Sequence, residues 1–158
     1  MTLKRFEQIK RYFHISEPFE HLSRHEWYRK LLPLADQLKE RFQTLMVPAS
    51  DVSIDEMMVR FVGRSFHTVQ VPGKPIPKGY KILVLSERGY TYDFLFTSRV
   101  DSFSGLENPD HYDKPIQLSP TSRAVLKMCL HLPYETNSFT LYCDNYFSNI
   151  PLFQVLRE

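Results

Sequence analysis

Two acidic residues in this 158-residue chain lie where a β-sheet would fix them. Asp55 falls within Ser53-Ile54-Asp55-Glu56-Met57-Met58-Val59-Arg60-Phe61-Val62-Gly63-Arg64, and Asp144 follows Leu141-Tyr142-Cys143 and leads into Asn145-Tyr146-Phe147-Ser148-Asn149-Ile150-Pro151. A carboxylate among Ile54, Met57, Val59, Leu141 and Tyr142 is costly to bury unless it is paired, hydrogen-bonded or bound to a metal. Two such groups held side by side are hard oxygen donors suited to Mg²⁺ or Mn²⁺ and to phosphodiester chemistry. Spacing alone leaves another reading open. Each aspartate would then cap a turn, Asp-Asn being a favoured turn dipeptide, or pair with a nearby arginine such as Arg60 or Arg64.

Other chemistry-bearing residues are less persuasive. Glu56 should point to the opposite face of a regular strand from Asp55, which makes it a surface or salt-bridging residue and not a third ligand. Asp93, Asp101, Asp110 and Asp113 read as solvated surface. His21 and His25 have the i, i+4 spacing of two ligands on one helical face but no third ligand nearby. His14, His67, His111 and His131 show no arrangement suited to a nucleophilic triad, and no phosphate-cradling loop or dinucleotide fingerprint is present. Cys129 and Cys143 form neither a CxxC nor a Cys/His ladder, which argues for a reduced, intracellular protein without structural zinc.

The elements that must position the two aspartates emerge from periodicity. Leu3, Phe6, Ile9 and Phe13, then Trp27, Leu31, Leu34, Leu38, Phe42 and Leu45, fall at helical intervals, with Pro18 and Ser23 marking a break and Pro33 a kink. After Pro48-Ala49-Ser50 the pattern becomes extended. Val52, Ile54, Met57, Val59 and Phe61 predict a first strand, Tyr80 to Ser86 a buried second, and Tyr90 to Phe96 a third after the turn Glu87-Arg88-Gly89. An irregular stretch from Asp101 to Leu118 precedes a helix from Pro120 to Leu132 with Ser119 as N-cap, a strand from Ser138 to Cys143, and a helix from Ile150 to Glu158 with Pro151 at an early position.

Hydrophobic residues make up 42% of the chain and charged residues 24%, an ordinary globular composition compatible with one domain. With 20 basic against 18 acidic residues, any basic surface for nucleic acid must come from local clustering. The N-terminus lacks an apolar core of signal-peptide length, and no run approaches the roughly 20 apolar residues needed to span a bilayer, so no membrane partner is expected.

Taken in order, the segments around Asp55 and Asp144, with Gly79-Tyr80-Lys81-Ile82-Leu83-Val84-Leu85 between them, resemble the core of piggyBac-type transposases and their domesticated derivatives. The resemblance implies an α/β, ribonuclease H-like mixed sheet, incomplete at the C-terminus, preceded by a helical layer. It divides the chain into 1–48, similar to dimerisation and DNA-binding helices, and 49–158, part of the catalytic domain. It implies that Asp55 and Asp144 are two of three metal-binding catalytic aspartates, with Mg²⁺ or Mn²⁺ as cofactor, and that the first and fourth strands are neighbours. The third aspartate of such enzymes lies well downstream, so the expectation is a transposase portion that does not cut and join DNA alone.

The segment Val71-Pro72-Gly73-Lys74-Pro75-Ile76-Pro77-Lys78-Gly79-Tyr80-Lys81 resembles the family's Pro/Lys-rich approach to its second strand. Lys74, Lys78 and Lys81, with Arg60 and Arg64, would then contact DNA phosphates without reading bases, although a rigid solvated loop explains them as well. Tyr146 and Phe147 suit either base stacking or core packing. The implied partners are transposon-end DNA and a second copy or a full-length transposase, and the implied location is nuclear. Two alternatives are a domesticated, non-catalytic module that binds DNA or protein, which metal-independent DNA binding would favour, and a complete transposase of which this chain is a part.

Overall fold

A computed structural model describes residues 1–16, 27–98 and 116–157. Pro18, Ser23, the His21/His25 pair, Asp101, Asp110, His111 and Asp113 lie outside them. Thr2 opens helix α1 (Leu3–Tyr12), its hydroxyl accepting from the Arg5 N–H at 3.3 Å. Leu3, Phe6 and Ile9 recur at the expected period, yet no residue of this helix is buried. A short 3₁₀ turn (Arg29–Leu31) leads into α2 (Leu32–Leu45). Pro33 does not kink that helix. It sits in the first turn, where its missing N–H would have had no partner.

The sheet begins with β1 (Asp51–Arg60), then the two-residue β2 (Val69–Gln70), β3 (Lys78–Glu87) and β4 (Tyr90–Phe96). The β3–β4 connection turns at Arg88 and Gly89, both with positive φ, as the Glu87-Arg88-Gly89 signal predicts. Helix α3 (Pro120–Cys129) carries the expected Ser119 N-cap, which accepts from the Ser122 N–H at 3.2 Å, but it ends before Leu132. After it come β5 (Thr140–Cys143) and α4 (Ile150–Arg157). The long strands run β4-β3-β1-β5, with β2 beside the start of β3. β1, β3 and β4, the three strands expected from the sequence, form an antiparallel meander, and β5 joins β1 in parallel.

One approach in this meander needs glycine. Gly79 pairs with Arg60, and a Cβ there would lie 2.0 Å from the Val59 carbonyl oxygen, so only a residue without a side chain lets the end of β1 meet β3.

The core lies between one sheet face and helices α3 and α4. Val52, Ile54, Leu83 and Leu85 meet Val125, Met128, Leu152, Val155 and the fully buried Phe147. The burial of β1 departs from the sequence reading in one respect. Val52, Ile54 and Met58 are buried while Met57 and Val59 are exposed, because a strict period of two carries the core face from Ile54 through Glu56 to Met58. Asp55 therefore shares its face with Met57 and Val59, and Glu56 lies on the other, as expected.

Helix α2 packs against β4, with Phe42 beside Tyr90 and Phe94 and the Tyr90 hydroxyl donating to the Phe42 carbonyl at 2.9 Å. Asp93 corrects the sequence reading, since it is 1% exposed and not solvated surface. Lys39 of α2 approaches Oδ1 at 3.4 Å, and His131, just past α3, lies 2.7 Å from Oδ2. These contacts offset the cost of burying the carboxylate. Burial, and after it the Asp93 charge, hold the neighbouring Tyr92 phenol above its ordinary pKa.

Candidate metal and nucleic-acid site

The parallel register of β1 and β5 runs Asp51↔Thr140, Val52↔Leu141, Ser53↔Tyr142 and Ile54↔Cys143. Asp55 and Asp144 are the next residues on each chain segment, so the two acids predicted from separate motifs stand at adjacent strands about 4.8 Å apart, Asp55 within β1 and Asp144 one residue past the end of β5. Each is fixed locally in the same way. Asp55 Oδ1 accepts from the Glu56 N–H at 2.7 Å, and Asp144 Oδ1 from the Asn145 N–H at 2.6 Å.

The residues after Asp144 explain why its motif has this composition. The Asp144 carbonyl accepts from the Phe147 N–H at 2.9 Å, closing a turn that drops the Phe147 ring into the core and leaves Tyr146 58% exposed. Asn149 caps α4 by accepting from the Leu152 N–H at 2.9 Å, and its side-chain amide donates to the Ser122 hydroxyl of α3. Pro151 stands in the first turn of α4. Asp144 is thereby placed by a buried ring on one side and a capped helix beyond it.

β5 ends at Cys143, and among the described residues no strand lines the β5 side of β1 beyond Ile54. Lys74 reaches this site. Its Nζ lies 3.3 Å from Glu56 Oε1 and 4.0 Å from Asp55 Oδ1, with the Asp55 side chain 70% exposed. Glu56 by hydrogen bond and charge, then Asp55, then Asp144, hold the Lys74 ammonium above its ordinary pKa. The cation beside Asp55 is thus Lys74, and not Arg60 or Arg64.

Lys78 and Arg60 flank a cleft of about 390 Å³ whose walls are Phe61, Val62, Gly63, Pro75, Ile76 and Pro77. Lys81 leans over the Tyr146 ring, 4.7 Å from its centroid, within cation–π reach. Arg64 is exposed on the loop after β1. Sequence reasoning missed the Glu56–Lys74 pair and the Lys81–Tyr146 contact. The Pro/Gly punctuation around Lys74 signalled a rigid loop, but nothing local showed where its tip would land.

The donor chemistry fits a hard divalent ion, since both acids offer carboxylate oxygens, Asp55 from the sheet and Asp144 from the turn that follows β5. Among the described residues, no third His, Cys, Asp or Glu joins them in a group able to hold a metal. No helix there is long and apolar enough to cross a membrane.

A mixed sheet with its first strand flanked by an antiparallel β3 and a parallel β5, helices α3 and α4 packed on one face, and an aspartate in β1 and just past β5 defines a ribonuclease H-like fold of the DDE transposase kind. A family match described as transposase IS4 spans residues 1–158, and the chain belongs to that family. A cryo-EM structure of piggyBac transposase, in a synaptic complex with hairpin DNA, is similar to it with a TM-score of 0.80 and 19% identity. All of this chain and 31% of the piggyBac chain are covered. The piggyBac-type resemblance read from the two motifs is borne out. No curated protein matches the chain.

Proposed function

We propose that Asp55 and Asp144 supply two of the three carboxylates of a DNA transposase active centre, holding Mg²⁺ or Mn²⁺ for DNA cleavage and strand transfer. The observation that supports this most is their adjacency, one step beyond the parallel pair Ile54 and Cys143. A divalent ion held there supplies charge neutralisation at the phosphodiester and activation of the attacking oxygen. The protein's own part is positional: the sheet fixes Asp55, and the Phe147 anchor and Asn149 cap fix Asp144. Cleavage in this reading needs a third carboxylate beside them, and among the described residues none joins the pair.

DNA is the partner in this reading, with Arg64, Lys78 and Lys81 contacting phosphates, and Lys74 joining them once it leaves its acidic neighbours. Residues 1–48 form the dimerisation and DNA-binding-like segment and 49–158 the catalytic portion. The exposed apolar side of α1 supports pairing with a second copy or a longer transposase chain. Action on chromosomal DNA implies a nuclear location.

The test is fluorescence anisotropy of a hairpin-ended duplex with and without Mn²⁺. Binding strengthened by Mn²⁺ in the native chain, and indifferent to it in Asp55→Asn and Asp144→Asn, is the expected result. Equal binding with and without metal in all three would favour the alternative, a domesticated non-catalytic DNA- or protein-binding module.

A further inference from the structure

Lys74 is held by a loop built for rigidity. Val71 and Pro77 close it through a backbone hydrogen bond of 2.8 Å, and Pro72, Pro75 and Pro77 restrict its torsions. Gly73, at φ +86°, supplies the left-handed turn before the lysine, where a Cβ would meet no neighbour but the backbone would strain any other residue. The loop carries the ammonium to β1, against Glu56 and Asp55. A flexible surface lysine would seldom hold such a position, because exposed ion pairs repay little of the side-chain entropy they cost. Here the loop has removed much of the backbone freedom in advance.

We propose that Lys74 is a resident counterion of the Asp55/Asp144 pair, which a divalent metal must displace. This rests on the reading of the two aspartates as metal carboxylates. Glu56, on the opposite face of β1, is the anchor: its 3.3 Å contact keeps the ammonium next to Asp55 without placing it fully on that carboxylate. The ammonium partly neutralises the two acids when no metal is bound, and so opposes an incoming ion of like sign. Once displaced, it stands beside the site with a free charge for a phosphate of the DNA. Lys74 is in this role a positioning residue that sets metal affinity.

The test measures Mn²⁺ binding to the 158-residue chain at low ionic strength, from the electron paramagnetic resonance signal of free Mn²⁺. Lys74→Ala should bind about tenfold more tightly than the native chain, the order expected for removing one positive charge beside a doubly charged ion at an exposed site. Lys74→Arg should restore native affinity. Independently of any substitution, the Lys74 side-chain NMR signals of the native chain should shift as Mg²⁺ is added. Unchanged or weaker binding in Lys74→Ala, or Lys74 signals indifferent to Mg²⁺, overturns the inference while leaving the aspartate reading intact if Asp55→Asn/Asp144→Asn loses the ion. Native-like Mn²⁺ binding by that double variant overturns both.

Discussion

Asp55 and Asp144 sit side by side, one residue past the last parallel pair of β1 and β5, although they come from distant parts of the sequence. Their stiffness is inherited from different sources. Asp55 lies within a ten-residue strand paired to β3 along most of its length, whereas Asp144 lies outside any strand and depends on the turn and capped helix after it.

That dependence gives the first prediction. Asn149→Ala removes the cap of α4 and the contact with Ser122, and should cost about 1–2 kcal/mol of stability in urea unfolding. It should also loosen the turn after Asp144, seen as faster amide exchange at Phe147 and Ser148.

Gly79→Ala forces a Cβ against the Val59 carbonyl oxygen, which is backbone and cannot rotate away. The variant should be destabilised by about 3 kcal/mol or more, with the β1–β3 pairing disturbed near Arg60. A thermal midpoint equal to that of the native chain would contradict the register.

Asp93→Ala should lower stability by about 1–3 kcal/mol, measured by urea unfolding. The figure is below that for breaking a fully buried ion pair, because Lys39 and His131 both keep contact with water when their partner is lost.

Burial, and secondarily the neighbouring Cys143, push the Cys129 thiol up to about 12 from 9.0. The folded state keeps the thiol protonated where the unfolded chain ionises, so this stabilisation is complete below pH 9 and is lost as pH rises toward 12. Over that window the loss amounts to about 4 kcal/mol at most. Iodoacetamide should label Cys129 slowly at about pH 8 in the folded chain and rapidly in urea. Rapid labelling of the folded chain would contradict the burial.

The strands were legible because alternation and turn residues mark them directly, and Ser119, Pro151 and the Asp-Asn turn announced the flanks of α3 and α4. Both aspartates could be singled out because their segments resemble piggyBac-type motifs, whereas spacing alone left turn caps or arginine pairs open. Other features depend on partners remote in sequence. Asp93 looked like surface because Lys39 and His131, which let it be buried, lie on other elements. Lys74 looked like a solvated cation because only the folded loop brings it to Glu56. The core face of β1, running from Ile54 through Glu56 to Met58, was hidden by Met57 and Val59, apolar residues that the strand leaves exposed.

The most direct test of the shared aspartate site is a ¹⁵N-resolved NMR titration of the chain with substoichiometric Mn²⁺, whose paramagnetism broadens nearby amides first. Early, simultaneous loss of the Asp55, Glu56, Asp144 and Asn145 signals is the predicted result, abolished by Asp55→Asn and by Asp144→Asn alike. Broadening centred elsewhere, or unchanged in either variant, would contradict a shared site.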